Sequence, residues 1–311
     1  MTLAKDSLYL FSIGAIGLVL AFVLDVMHTT QLAVGRRRST VAASGGLVPA
    51  GAAGGSSVGI GGGDGGSLPY QTQTTAGSLG HAFTWLTFIC FALSLAIRGW
   101  IVGRGPWGNM YEFSIAFATG ILLGYLFLAR RYQIRSIAFV PIGVALFLVG
   151  YAATLPSTIE PLVPALANAP LLTIHVSMAM VSYGIFAVSF AAALGYLAQG
   201  QNDRFTWLPS HKVLDEVAYR AVIIGFPIFA ALIILGSYWA SIAWGRYWGW
   251  DPKETAALVT WLIYAVYLHA RNLKGWSGRP AALILVIGFV AVLFTYFGNL
   301  YFSGLHSYSG L

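Results

Sequence analysis

Twelve residues that lie between two long apolar stretches include an unusually large number of charged and aromatic side chains. The run 244–255 reads WGRYWGWDPKET and sets four charged residues beside three tryptophans, Trp244, Trp248 and Trp250. Indole faces stack on flat conjugated ligands, and a fixed cation such as that of Arg246 pairs with a carboxylate. The run therefore suits a flat, amphipathic ligand, of which a porphyrin such as haem is the leading candidate.

The acidic end of this run also has a purely structural interpretation. Asp251, Pro252 and Glu254 occupy the N-cap, N1 and N3 positions of a helix start, where carboxylates satisfy the first backbone amides. That interpretation leaves the three tryptophans unexplained, and Trp239 and Trp261 lie nearby. Membrane interfaces enrich tryptophan, although anchoring alone requires fewer. The candidate ligand-binding residues in the run are Trp244, Arg246, Trp248, Trp250 and Asp251.

Histidines supply candidate iron ligands. His175 lies about one turn into an apolar stretch, and His306 follows the last apolar stretch by a few residues. Two imidazoles from separate helices can ligate one haem iron from opposite sides. Each could instead be an interfacial side chain satisfied by water, and the tryptophan run on the same face favours the ligand interpretation.

The composition places these residues in a membrane. The chain is 58% hydrophobic and 9% charged, with a mean hydropathy of +0.75, whereas soluble domains carry about 25% charged residues. Stretches long enough to cross about 30 Å of hydrocarbon occur eight times. The sequence predicts an all-α polytopic membrane protein with about eight transmembrane helices, near 8–27, 80–101, 112–129, 135–154, 171–198, 221–243, 254–271 and 280–303.

Charge distribution predicts the orientation. The connections after helices one, three, five and seven carry 12 of the 17 Lys and Arg residues. The positive-inside rule makes that side cytoplasmic, so both termini and the tryptophan run are predicted to be extracytoplasmic. The net charge of +7 is explained by topology. It gives no reason to expect a nucleic-acid partner.

Three regions are predicted along the chain. Residues 1–30 form the first transmembrane helix, 31–79 a glycine-rich cytoplasmic linker, and 80–311 a seven-helix membrane domain. Residues 41–80 contain 13 glycines and few large apolar side chains, so they cannot bury enough surface to offset ordering and are expected to be flexible. The lone Cys90 excludes a dithiol redox motif, and no Gly-x-Ser-x-Gly nucleophile motif occurs.

His269 lies 17 residues after Pro252, roughly 25 Å along a helix that begins there. This depth places it near the cytoplasmic leaflet. An ionisable side chain within a span is a functional hypothesis by default. The alternative is that His269 snorkels to the nearby boundary, where Arg271 lies.

Together these stretches resemble the WWD-motif haem-handling proteins, and more narrowly the CcsA/ResC family of the system II cytochrome c synthetase. The tryptophan run resembles the family signature, and the similarity extends over about residues 80–311. The glycine-rich linker departs from it. Three further stretches agree with the family: Asn109, Tyr111 and Glu112; Leu155 and Pro156 to Pro164 before His175; and Gly304, Leu305 and His306.

The resemblance implies a role for each candidate residue. His175 and His306 match the outer histidines that ligate haem iron, and His269 matches the intramembrane histidine that receives haem from the cytoplasmic side. The chain would move haem b outward as a transported substrate. It would then present the vinyl groups to the Cys-x-x-Cys-His motif of apocytochrome c, as a component of a holocytochrome c synthetase at the bacterial plasma membrane.

The resemblance also implies partners, and two other classes remain open. A ResB/CcsB-type membrane subunit would supply a second intramembrane histidine, and a thiol-reducing partner would keep the apocytochrome cysteines reduced. One alternative is a respiratory membrane subunit with permanent bis-histidine haem, although such subunits pair histidines at matched depths. The other is a secondary transporter, although no repeated halves are visible in the sequence.

Overall fold

The structure is a computed structural model that describes residues 2–44, 74–159 and 169–306. Its described part is all-helical, without strands, and contains a short 3₁₀ turn at Arg135–Ile137. The eight helices are α1 (Thr2–Ser44), α2 (Thr75–Val102), α3 (Met110–Ala129), α4 (Phe139–Ala153), α5 (Ala169–Gln199), α6 (His211–Trp244), α7 (Pro252–Lys274) and α8 (Arg279–Tyr301).

This architecture confirms the predicted all-α polytopic class. Seven helices are long and apolar enough to cross a membrane, with α7 as the exception among the eight. At 23 residues α7 has sufficient length. Its mean hydropathy is lower because it includes Lys253, Glu254, His269 and Arg271 together with several Thr and Tyr residues.

Several helices extend beyond the apolar runs that predicted them. Helix α1 continues to Ser44 and α2 begins at Thr75, because hydrophobicity marks the hydrocarbon-facing part of a helix and helical hydrogen bonding does not stop at that boundary. Residues 45–73 of the predicted linker and 160–168 of the proline-containing loop lie outside the described residues.

Helix α3 lies at the centre of the bundle, with 78% of its apolar stretch buried. It crosses α5 very closely through Gly120, Gly124 and Gly184. A Cβ atom at Gly120 would lie 2.3 Å from the Met180 carbonyl oxygen. Small residues at such a crossing permit backbone contact between membrane helices.

The up-and-down course of the helices gathers the candidate residues at one end of the bundle. Helices α3, α5 and α7 begin there, and α2, α6 and α8 end there. We call this the cavity end. At the opposite end Arg271 of α7 makes two hydrogen bonds to Asp215 of α6, at 2.8 and 2.6 Å, which fixes these helices where His269 is located.

Candidate functional site

An open cavity lies at the cavity end of the bundle, with about 1170 Å³ of empty space when the open solvent at its mouth is included. Seven tryptophan, tyrosine and phenylalanine side chains line it, and they come from α3, α5, α6, α8 and the loops that precede α3 and α7. His175 and His306 both line it, together with two tryptophans of the signature run. The principal lining residues are Trp107, Phe113, His175, Tyr183, Gly236, Trp239, Trp244, Trp248, Lys253, Glu254, Tyr296 and His306.

His175 is held by the neighbouring helix α6. Its Nδ1 lies 3.0 Å from the Leu232 carbonyl oxygen. A carbonyl only accepts, so Nδ1 carries the proton and Nε2 carries the lone pair. The ring fits beside Gly236, where a Cβ would lie 2.5 Å from His175 Cε1. A glycine at this position is therefore what allows the imidazole to reach the cavity.

His306 is held by the residue that begins α7. Its Nδ1 lies 2.7 Å from Asp251 Oδ2, and the Leu305 backbone amide donates to Asp251 Oδ1 at 2.5 Å. A Cβ at Gly304 would collide with the same carboxylate. The Gly304–His306 segment is thus folded onto Asp251, with Nδ1 of His306 as a donor.

Asp251 also begins α7 as predicted. Its side chain accepts from the Lys253 amide at 3.1 Å, and the Glu254 side chain accepts from the Asp251 amide at 3.2 Å. The Asp251 side chain also accepts from the Glu254 backbone amide, which completes a capping box with Pro252 at the start of the helix. Asp251 therefore both caps α7 and holds His306 in place.

In the Asp251–His306 pair, Asp251 is an ionised carboxylate and His306 is a neutral imidazole. Burial raises the pKa of Asp251, but the hydrogen bonds that its carboxylate accepts from His306 and from the amides of Lys253 and Leu305 outweigh burial and hold that pKa at about 2. Burial lowers the pKa of His306 and outweighs the opposing bond to Asp251. An imidazole that donates through Nδ1 and stays neutral can bind a metal through Nε2.

Both histidine rings contact the buried indole of Trp239. His175 stacks on it at 6.4 Å and 17°, and His306 lies at 5.9 Å and 47°. Trp244 meets His306 edge to face at 4.9 Å and Trp239 at 4.7 Å. The four rings form one aromatic cluster, so the two imidazoles from distant parts of the sequence face the same small volume.

The other two tryptophans of the run lie differently from each other. Trp248 lines the cavity, whereas Trp250 is 70% exposed and lies outside the lining. Trp250 has a φ of 56°, a left-handed conformation that is uncommon for a bulky residue. Glu254 stabilises this turn, since its Oε2 accepts from the amides of Gly249, at 2.8 Å, and Asp251.

The cations of the run are also placed differently. Arg246 is exposed, lies over Gly249 and does not line the cavity. Lys253 does line it, with Nζ 5.2 Å from the centre of the Phe113 ring. The sequence alone favours Arg246 as the cation of the site and does not single out Lys253, because residue type does not show which cation faces the cavity.

A buried ion pair supports the wall opposite α7. Arg98 Nε and Glu112 Oε1 are 2.9 Å apart, and each side chain is only 1% exposed. Glu112 Oε2 accepts from the Gly108 amide at 2.8 Å, and Arg98 donates to the Ser157 carbonyl at 3.0 Å. The pair thus fixes the loop that carries Trp107 into the cavity wall.

The remaining histidines lie away from the cavity. His269 lies on an exposed stripe of α7, formed with Val259, Leu262, Val266 and Leu273. His28 is buried and bonds Thr74 at 2.7 Å, and His211 pairs with Asp203 at 3.1 Å. The structure therefore brings His175 and His306 together and leaves His269 on the bundle surface near the opposite end.

Comparisons with known proteins show the family of this chain. Residues 107–306 match the family model described as cytochrome C assembly protein. The chain is 36% identical over 260 residues to a cytochrome c biogenesis protein CcsA from Guillardia theta, covering 75% of this chain and 86% of the relative. It is 36% identical over 256 residues to CcsA from Prochlorococcus marinus (strain MIT 9301), covering 72% of this chain and 82% of that relative.

A solved structure shares the fold. The chain named cytochrome c heme lyase CcmF superposes with a TM-score of 0.64 at 17% identity. The match covers 96% of this chain and 47% of that chain, so this protein spans about half the length of that one. The family model covers the segment from Trp107 to His306, which contains the complete cavity. The chain belongs to the cytochrome c assembly protein family, within the CcsA group of cytochrome c biogenesis proteins.

Proposed function

We propose that this chain is the haem-handling subunit of a system II cytochrome c synthetase. It moves haem b across the membrane and holds it in the cavity while thioether bonds form to the Cys-x-x-Cys-His motif of apocytochrome c. The observation that supports this most strongly is the pair His175 and His306. Both rings contact Trp239, and both use Nδ1 to bond another protein group.

The donor set fits haem as a substrate. Two neutral imidazoles with Nε2 as the iron-binding nitrogen supply the axial ligands, and tryptophan and tyrosine rings supply flat apolar walls. Thioether formation adds each cysteine S–H across one vinyl group, so that one C–S bond and one C–H bond form without net redox change. This step requires reduced thiols, which a separate thiol-reducing partner supplies.

The cavity end is proposed to be extracytoplasmic. The charged connections that predict the cytoplasmic side join helices at the opposite end, including Arg130, Arg131 and Arg204. In this orientation both termini lie outside. The membrane is proposed to be the bacterial plasma membrane. The regions 1–30, 31–79 and 80–311 then form a first span, a cytoplasmic linker and the haem-handling domain.

His269 is proposed to receive haem before the cavity does. It lies five residues before the end of α7, at the end of the bundle opposite to His306. Its position on an exposed stripe allows a second protein to approach the imidazole. A ResB/CcsB-type subunit is the proposed partner, and it supplies the second intramembrane ligand.

Haem content of the purified protein tests the proposal. We expect substoichiometric haem with a bis-histidine spectrum that disappears in His175→Ala and His306→Ala, and partial recovery of function with added imidazole. His211→Ala is the matched control because that imidazole pairs with Asp203 away from the cavity. Stoichiometric, permanent haem would favour a respiratory subunit, and absence of haem would favour a transporter.

Two further experiments test the route. His269→Ala is expected to deplete haem from the whole protein, whereas His175→Ala leaves haem at the membrane site; equal loss in both variants would contradict the order. Reporters fused at residues 60 and 205 are expected to read cytoplasmic, and fusions at 160 and 247 extracytoplasmic. A cytoplasmic signal at 247 would contradict haem presentation to an extracytoplasmic apocytochrome.

A further inference from the structure

The cavity contains hydrogen-bond donors that the protein itself does not use. Lys253 lines it, and no carboxylate lies within 4.0 Å of its Nζ in the part of the chain that the structure describes. Buried charges in proteins are normally paired, so a cation in a cavity wall without a carboxylate beside it indicates that a bound ligand supplies the anion.

The two nearby carboxylates, those of Asp251 and Glu254, already accept hydrogen bonds within the protein. Asp251 accepts from the amides of Lys253 and Leu305 and from His306. Glu254 accepts from the amides of Gly249 and Asp251. Both carboxylates also lie at the start of α7, where the helix dipole offsets negative charge. The Lys253 ammonium thus faces the cavity, with its Nζ 5.2 Å from the centre of the Phe113 ring.

We propose that Lys253 binds a propionate carboxylate of the porphyrin. This inference rests on the proposed function and adds the recognition of the substrate's acidic edge. The aromatic cluster and the two histidines recognise the ring and the iron. They are indifferent to whether the porphyrin carries acids or esters, whereas an ammonium is not.

This assignment explains how the haem is oriented. A porphyrin has its propionates on one edge and its vinyl groups away from that edge. A cation at one side of the cavity therefore selects one rotation about the axis between the histidines. The vinyl groups are then directed away from Lys253, toward the side where an apocytochrome cysteine must approach.

The experiment compares iron protoporphyrin IX with its dimethyl ester. Full-length protein in detergent is titrated with each, and binding is followed through the bis-histidine spectrum. We expect wild-type protein to prefer the free acid by roughly tenfold to a hundredfold, as for a charge-assisted hydrogen bond. Lys253→Gln is expected to lose this preference with an unchanged spectrum, and Lys253→Arg to retain it.

Lys253→Gln is a clean test because the capping bond at this position comes from the Lys253 backbone amide. Arg246→Gln tests the other cation of the run. The Lys253 assignment would be overturned if Arg246→Gln lost the preference for the free acid and Lys253→Gln kept it. Lys5→Gln, an exposed lysine on α1, controls for general charge. Equal preference in wild type and Lys253→Gln would overturn the Lys253 assignment alone. A wild-type protein that binds neither porphyrin through its histidines would overturn the proposed function as well.

Discussion

Asp251 Oδ2 and His306 Nδ1 are 2.7 Å apart, and this contact joins the first residue before α7 to the segment after α8. The same carboxylate caps α7 through the Lys253 amide. One side chain therefore starts a helix and orients a proposed iron ligand. A change at Asp251 can be designed to separate the two roles.

Asp251→Asn should weaken haem binding while it keeps the N-cap of α7. Asparagine remains a good N-cap, so we expect the loss of capping itself to cost about 1 kcal/mol or less. It replaces a carboxylate behind His306 with a neutral amide, and such losses typically cost 10–100-fold in metal affinity. Haem titration and thermal unfolding measure the two effects. Asp203→Asn, at the exposed Asp203–His211 pair, is the control and should leave haem affinity unchanged.

Stability should fall at acid pH through the same carboxylate. The Asp251 pKa is held at about 2, below its ordinary value of 3.8. Such a group stabilises the folded state above the unfolded pKa, and the contribution is lost as the pH falls through the folded pKa. We expect the unfolding temperature of wild type to drop between about pH 4 and pH 2. The drop should be smaller in Asp251→Asn, and identical curves would contradict the depressed pKa.

Gly236→Ala should displace His175. The added Cβ would lie 2.5 Å from His175 Cε1, so the ring must move or α6 must shift, at a cost of about 1–3 kcal/mol. We expect a weakened bis-histidine spectrum together with a lower unfolding temperature. Gly150→Ala is the matched control, since a Cβ at that helical glycine meets nothing within 4 Å. An unaltered spectrum in Gly236→Ala would show that His175 does not depend on this contact.

Glu112→Gln should destabilise the wall that carries Trp107. It leaves the Arg98 charge buried without its carboxylate, which typically costs about 3–5 kcal/mol. The exposed Arg220–Glu216 pair provides a control, because Glu216→Gln at that surface pair should change stability only slightly. Chemical unfolding of both variants in detergent gives the comparison. Equal and small losses would mean that the buried pair does not hold the loop.

Trp248→Ala should impair haem binding more than Trp250→Ala. Trp248 lines the cavity, whereas Trp250 is 70% exposed and lies outside the lining. Trp250→Gly should be tolerated better than Trp250→Ala, because glycine accepts the left-handed conformation at this position. Haem affinity and unfolding temperature distinguish the contribution of the ring from that of the turn. If both Trp→Ala variants bind haem normally, the run acts only as an anchor.

The sequence by itself determined the membrane class, the number of long helices and the start of α7. These features depend on local physics: apolar stretches of spanning length and a capping box whose partners are three residues apart. It also selected His175 and His306 and the tryptophan run from residue types alone. The helix ends were less predictable, since hydrogen bonding continues past the apolar boundary, as in α1 to Ser44.

Only the tertiary structure decided which of these residues share a site. Three features depend on how the helices cross: the contact of both histidines with Trp239, the presence of Lys253 and not Arg246 in the cavity lining, and the buried Arg98–Glu112 pair. The crossings are set by glycine contacts such as Gly120 with Gly184 and by side-chain bonds such as Asp251 with His306. The Gly120–Gly184 and Asp251–His306 contacts join positions 55 or more residues apart, so no local sequence pattern encodes them.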